Sequence, residues 1–133
     1  AVLADTTLMG DRAEIERWTT IHGRLLQASD DEREAASGAA FAALGHPLMQ
    51  RAAAADECHR EVPLTQKLPD GRLLEGIVDM TFREGDVWTV VDFKTDVVLT
   101  ADARDAYSRQ VRLYCRALEE ATGQKATGVL LQV

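Results

Sequence analysis

The chain has only two cysteines, Cys58 and Cys115, and three prolines in 133 residues. Two thiolates cannot hold a four-thiolate iron–sulfur cluster, so no iron–sulfur cofactor is expected. Nothing in so sparse a cysteine usage points to an oxidising compartment; the thiols read as inert groups of a cytoplasmic protein. No apolar run approaches the ~20 residues of a membrane span, and no membrane partner is expected. The opening residues Ala1-Val-Leu-Ala-Asp5 lack the basic segment of a signal peptide and an initiator Met, which suggests a fragment cut from a longer chain. Positive charge is also short: 15 Lys and Arg against 22 Asp and Glu leave a net charge of −7. A protein that grips nucleic acid unaided needs the opposite balance, because phosphate contacts use Lys and Arg.

What remains is an ordinary globular composition, 46% hydrophobic, with no repeats, low-complexity segments or interdomain linker. Residues 1–133 read as one domain, with 1–10 as a loose leader. Asp11 followed by Glu14 resembles a capping box, and Ile15, Trp18, His22, Leu25 and Leu26 then recur on one helical face. A second, Ala-rich helix is expected from about Asp31 to Leu44, and a short third one from Pro47 to about Ala55. From Cys58 the period changes to two. Arg60 to Lys67 reads as a strand that Pro63 confines to a sheet edge, and Pro69-Asp70-Gly71 as a turn. Thr95–Thr100 reads as a loop and about Ala101 to Thr122 as a long amphipathic helix ended by Gly123. Thr127 to Val133 reads as a final buried strand, joined by a right-handed crossover.

The central segment carries the chemistry. Glu75 to Asp96 alternates, is rich in β-branched residues and is split by Gly85-Asp86, a two-residue hairpin turn suited to type II′. Pairing then sets residue 84 opposite 87, 82 opposite 89, and Asp79 opposite Asp92. Like charges facing each other on a sheet repel, so a cation between them is expected. Lys94 projects from the same strand face as Asp92. Two hard oxygen ligands and one ammonium on a small patch suit phosphodiester hydrolysis: a divalent metal activates water, and a lysine orients the nucleophile or steadies the developing charge. If 69–71 is a three-residue loop, Glu61 faces Asp79, and Glu61, Asp79 and Asp92 lie side by side across three strands.

Asp79, Asp92-Phe93-Lys94 resembles the PD-(D/E)xK nuclease signature. With Gly76-Ile-Val-Asp79, Asp92-Phe-Lys-Thr-Asp96 and Gln110-x-x-x-Tyr114, the stretch from about His22 onward is similar to the nuclease domain that ends RecB/AddA-type (UvrD-like) helicase–nuclease subunits. The resemblance implies an α/β (α+β) restriction-endonuclease-like αβββαβ core, a mixed four-stranded sheet flanked by helices. It implies a Mg²⁺- or Mn²⁺-dependent deoxyribonuclease of DNA repair and recombination, with Asp79, Asp92 and Lys94 catalytic. The metal would be held by His22, Asp79, Asp92 and the backbone carbonyl of Phe93, with Gln110, Tyr114 and Glu61 in support.

From the residues alone, His22 reads as a satisfied core histidine; the resemblance makes His22-Gly-Arg-Leu-Leu-Gln27 a first-helix metal motif. Gln110 and Tyr114 share a helix face, with Tyr107 one turn earlier; Tyr114 reads as a packing residue, the resemblance makes this face the wall of the active site, and the two readings stand equal. Arg104, Arg109, Arg112 and Arg116 all fall on the last helix, as a solvated face or as local positive charge. The partners implied are DNA, a helicase motor in the same polypeptide and a second helicase–nuclease subunit. Two rival functions stay open: a catalytically silent DNA-binding or scaffold module, and a stand-alone endonuclease of the same fold.

Overall fold

The computed structural model describes residues 10–94 and 98–132. The expected leader, Thr95 and Asp96 lie largely or wholly outside them. Two compact units divide the chain, residues up to 54 and residues 55–132. Among the described residues no helix is long and apolar enough to cross a membrane.

The first unit contains α1 (Arg12–Leu25), α2 (Asp30–Leu44) and α3 (Pro47–Ala54). Asp11 caps α1 by accepting the Glu14 N–H at 2.9 Å, as expected. Ser29 and Glu32 close a full capping box on α2, which fixes its start one residue before the sequence estimate. His46 Nδ1 accepts the Leu48 N–H at 3.1 Å at the start of α3. The buried stripe of α1 is not the expected one: Ile15, Thr19 and Gly23 are buried, whereas Leu25 and Leu26 are 76% and 75% exposed. Gly23 explains the shift. A Cβ there would stand 2.4 Å from Arg33 Cδ, so a bare backbone lets the Arg33 stem of α2 lie against α1.

The second unit is a four-stranded sheet in the order β1 (Glu57–Lys67), β2 (Leu73–Glu84), β3 (Val87–Lys94), β4 (Lys125–Gln132). The first three strands are antiparallel and β4 is parallel to β3. The helix α4 (Ala101–Thr122) connects β3 to β4 and is stopped by Gly123 at φ 70°. With four helices among the described residues, this is the mixed α/β arrangement expected. Pro63 lies on β1, an edge strand as anticipated, whereas β4 is the opposite edge and only Ala126 and Leu131 of its described residues are buried. Glu84 pairs with Val87, and φ is positive at Gly85 but not at Asp86, the sign pattern of type II′. The Leu68 N–H donates to the Arg72 carbonyl at 2.8 Å, closing the three-residue loop at Gly71.

Parity exposes a feature that alternation alone does not. Thr81 pairs with Val90, and Val90 with Gly128, so these three face the same side. On that side α4 packs, with Val111 and Cys115 against Gly128. Gly76 and Val78 have the opposite parity, yet Gly76 meets Tyr114 of α4 and Val78 joins the cluster of Val90, Val111 and Leu118. The β1–β2 ribbon therefore turns over between Met80 and Val78. Across from that step stands Glu61, at φ 51°, and the β1–β2 register runs from Arg60↔Met80 to Val62↔Val78 without a Glu61↔Asp79 pair.

The expected row of three carboxylates is thereby corrected to two. Glu61 is exposed, and no group of three potential metal-ligating side chains forms among the described residues. A left-handed residue that is not glycine costs about 1–2 kcal/mol. Glu61→Gly should hold or raise the melting temperature, whereas Glu61→Val, normally the better strand former, should cost about 1 kcal/mol or more in a thermal melt.

Candidate active site

Asp79 owes its place to the end of a ladder. A two-residue turn makes 84 and 87 a hydrogen-bonded pair, so the bonded pairs continue at 82 with 89 and 80 with 91, and the next would join 78 to 93. The ladder stops at Met80↔Val91, and the Phe93 N–H donates at 2.8 Å to Asp79 Oδ2. A side-chain carboxylate thus replaces the backbone carbonyl as acceptor where β2 turns away. Asp79 is held beside Asp92, the neighbour the hairpin arithmetic assigns to it.

The two carboxylates sit in unequal surroundings. Asp92 is buried, and its Oδ2 lies 2.8 Å from Lys94 Nζ. That contact is a charge-assisted pairing, the kind of partner an enclosed carboxylate oxygen needs. Asp79 is half-buried. Burial first, then a hydrogen bond to Asp92 and its negative charge, push its pKa up from 3.8 to about 6; the Phe93 N–H and Lys94 only partly oppose this. Such a pair, two adjacent carboxylates against one ammonium, fits a hard divalent cation, which takes oxygen ligands and relieves their repulsion.

Lys94 is held from two sides. Its ammonium pairs with Asp92 and lies 3.8 Å from the centre of the Tyr107 ring. Burial pulls its pKa down, but the hydrogen bond and charge of Asp92, with Tyr107 and Asp79 behind, outweigh it and hold the pKa above the usual lysine value. The sequence had placed Tyr107 one turn before Gln110 without giving it a role. Its spacing of seven from Tyr114 was the available signal, since it puts both on one helix face.

Tyr114 and Gln110 take the packing arrangement. Tyr114 is buried and accepts a hydrogen bond from Gln110 Nε2 at 3.0 Å. A Cβ on Gly76 would stand 2.4 Å from the Tyr114 hydroxyl, so the glycine of Gly76-Ile-Val-Asp79 makes room for that ring. His22 belongs to the first unit, on α1, with its ring 6.1 Å from that of Trp18. His59 faces Glu57 at 2.7 Å and stacks near Trp88. Both cysteines are free, and burial pushes the Cys115 thiol up to about 11, which keeps it an unreactive thiol.

The raised Asp79 value fixes a pH dependence. Between its ordinary value of 3.8 and about 6, the folded chain keeps a proton that the unfolded chain has released. The stability from that proton is complete below 3.8, declines as pH rises and is gone above about 6. Asp79→Asn keeps an acceptor for the Phe93 N–H and removes the repulsion. In EDTA it should flatten this part of the melting curve against pH and stabilise the chain at neutral pH by about 1 kcal/mol, after discounting for partial exposure.

The sequence model of the PD-(D/E)XK nuclease superfamily matches residues 2–133. Similar proteins include the ATP-dependent helicase/nuclease subunit of Acetivibrio thermocellus, 35% identical over 100 residues, 62% of this chain and 8% of the relative. The corresponding subunit of Heliobacterium modesticaldum is 32% identical over 105 residues, 64% of this chain and 8% of its own length. That of Listeria welshimeri is 29% identical over 108 residues, 66% of this chain and again 8% of the relative. The chain thus spans less than a tenth of the length of the curated relatives it matches. With a match over nearly its whole length, and the paired carboxylates and lysine of the signature assembled on β2 and β3, the chain belongs to the PD-(D/E)XK nuclease superfamily.

Proposed function

We propose that the chain hydrolyses DNA phosphodiesters with the help of Mg²⁺ or Mn²⁺, as the nuclease portion of a longer helicase–nuclease polypeptide that serves DNA repair. The observation that carries this is the Asp79–Asp92 pair, one carboxylate buried and the other with a raised pKa, beside a fixed ammonium. Asp79 and Asp92 would hold the cation, with His22 and the Phe93 carbonyl as further ligands. When bound, such a cation supplies an acidified water and offsets phosphate charge.

The chain's own groups then divide the work. Asp92 pairs with Lys94 and so keeps the ammonium on the sheet face. The Tyr107 ring limits where Nζ can swing while leaving its protons available. Lys94 donates to a non-bridging phosphate oxygen or orients the attacking water, in both cases countering charge that grows in the transition state. Gln110 and Tyr114 act at one remove, by fixing α4 against β2.

Lys94→Ala should lower cleavage of single-stranded DNA in Mg²⁺ by about 100-fold or more. The same change leaves Asp92 without its cation, so the melting temperature should fall in EDTA and recover in part with Mn²⁺. Cleavage at the wild-type rate would remove the site assignment. Tyr107→Phe should cleave like wild type, because the ring face remains, whereas Tyr107→Leu should lose about tenfold.

Mn²⁺ should raise the wild-type melting temperature, by about 2.7 kcal/mol in stability at one hundred times the dissociation constant. Asp79→Asn should lose most of that gain and His22→Ala part of it; an equal gain in all three proteins would place the cation elsewhere. The net charge of −7 favours a second reading, a nuclease fold retained as a silent module. A cleavage assay with a metal-free control separates the two.

A further inference from the structure

The acidic balance of the chain is not evenly spread. On the α4 side of the sheet, where β3 and β4 run parallel, a pocket of about 480 Å³ opens next to Lys94. Its wall on α4 is a single stripe, Arg104, Ser108 and Arg112, spaced four apart so that all three present one face. Gly128 and Gln132 of β4 form the opposite side. The lining thus contains three cationic side chains and no carboxylate among the described residues, in a chain whose acids outnumber its bases by 22 to 15. Arg104 and Arg112 are exposed, and neither makes an ion pair among the described residues.

The pocket also has a built shape. Gly128 lets α4 approach the sheet: a Cβ there would lie 2.2 Å from Val111 Cγ1 and 3.3 Å from Cys115 Sγ. Val111 and Cys115 consequently pack down onto β4 and form an apolar floor, while the residues one position and three positions away along the helix, Arg112 and Ser108, stand at its rim. Lys94 belongs to both places, pairing with Asp92 on one side and lining the pocket on the other.

We propose that this pocket seats a phosphodiester of the substrate strand flanking the one at Asp79 and Asp92, with Arg104 and Arg112 on its non-bridging oxygens and Ser108 as a neutral donor. Guanidinium groups suit this task because their forked donors match two phosphate oxygens at once. The ligand class is a single nucleic-acid strand, since successive phosphates must lie in two adjoining places on one side of the sheet. The proposal rests on the nuclease assignment for its substrate, but its binding step needs neither metal nor turnover. It gives the acidic chain a local grip that its net charge denies it, and it divides the four arginines of α4 into two that face the pocket and two, Arg109 and Arg116, that do not line it.

The test is binding of a 5′-fluorescent single-stranded DNA oligonucleotide in EDTA, followed by anisotropy across a series of KCl concentrations. Arg104→Ala and Arg112→Ala should each weaken binding several-fold at low salt and each reduce the slope of log affinity against log salt by about 0.7. Arg109→Ala removes the same charge from the same helix and should change the slope little. Unaltered slopes in both pocket variants, an equal change in Arg109→Ala, or no binding by the wild type would each overturn the proposal. Inorganic phosphate is the second probe. If it displaces the oligonucleotide from the wild type more effectively than chloride at equal ionic strength, the pocket is a free-phosphate site and the strand assignment falls. Loss of cleavage in Mg²⁺ by an otherwise normal binder would instead count against the nuclease reading and leave the pocket standing.

Discussion

One hydrogen bond organises the second unit: the Phe93 N–H donating to the carboxylate of Asp79. It ends the β2–β3 ladder by supplying a side-chain acceptor where a backbone carbonyl would have continued it. Released from β3, the β1–β2 ribbon turns over, and its far half brings Gly76 and Val78 onto α4. The bond also sets Asp79 next to Asp92 and helps keep it ionisable against burial and repulsion. Fold and candidate chemistry thus share one carboxylate, which caps the sheet and stands in the candidate site.

The electrostatics follow from that placement. A second carboxylate beside a buried first one is unfavourable; Lys94 pairs with Asp92 and only partly offsets Asp79. The Tyr107 ring below the ammonium keeps it from drifting into water, at little entropic cost because the ring is itself carried on a long helix. One ammonium against two carboxylates leaves residual repulsion at this site.

Much of this was legible in the residues. Gly85 and Gly71 fixed two turns, and with them the register that puts Asp79 against Asp92, because loop length determines pairing. Thr100 to Gly123 marked α4 to the residue. The rest failed for definable reasons. Alternation assumes a ribbon that keeps its faces, so it placed Glu61 in the carboxylate row; a positive φ at a glutamate has no signature in composition. Helical spacing assigned Leu25 and Leu26 to a buried stripe, but the bare backbone at Gly23 drew the contact to its own side. Tyr107 received no role of its own because a ring seven residues before Tyr114 looks like any other packing residue until the lysine is placed.

The two glycines under α4 have a wider consequence. Gly76 on β2 and Gly128 on β4 touch the helix on either side of β3, at Tyr114 and at Val111 with Cys115. The helix therefore rests on bare backbone at two separated points, and β3 with Asp92 and Lys94 runs in the span between them. Its height above that strand is set by the Tyr114, Val111 and Cys115 side chains that stand on that bare backbone. Substitutions beneath the span, at Trp88 or Val90, can be repacked; at the two supports they cannot, unless Tyr114 or Val111 shrinks in the same step. Among homologous chains, positions 76 and 114, and likewise 128 and 111, should then change together or not at all.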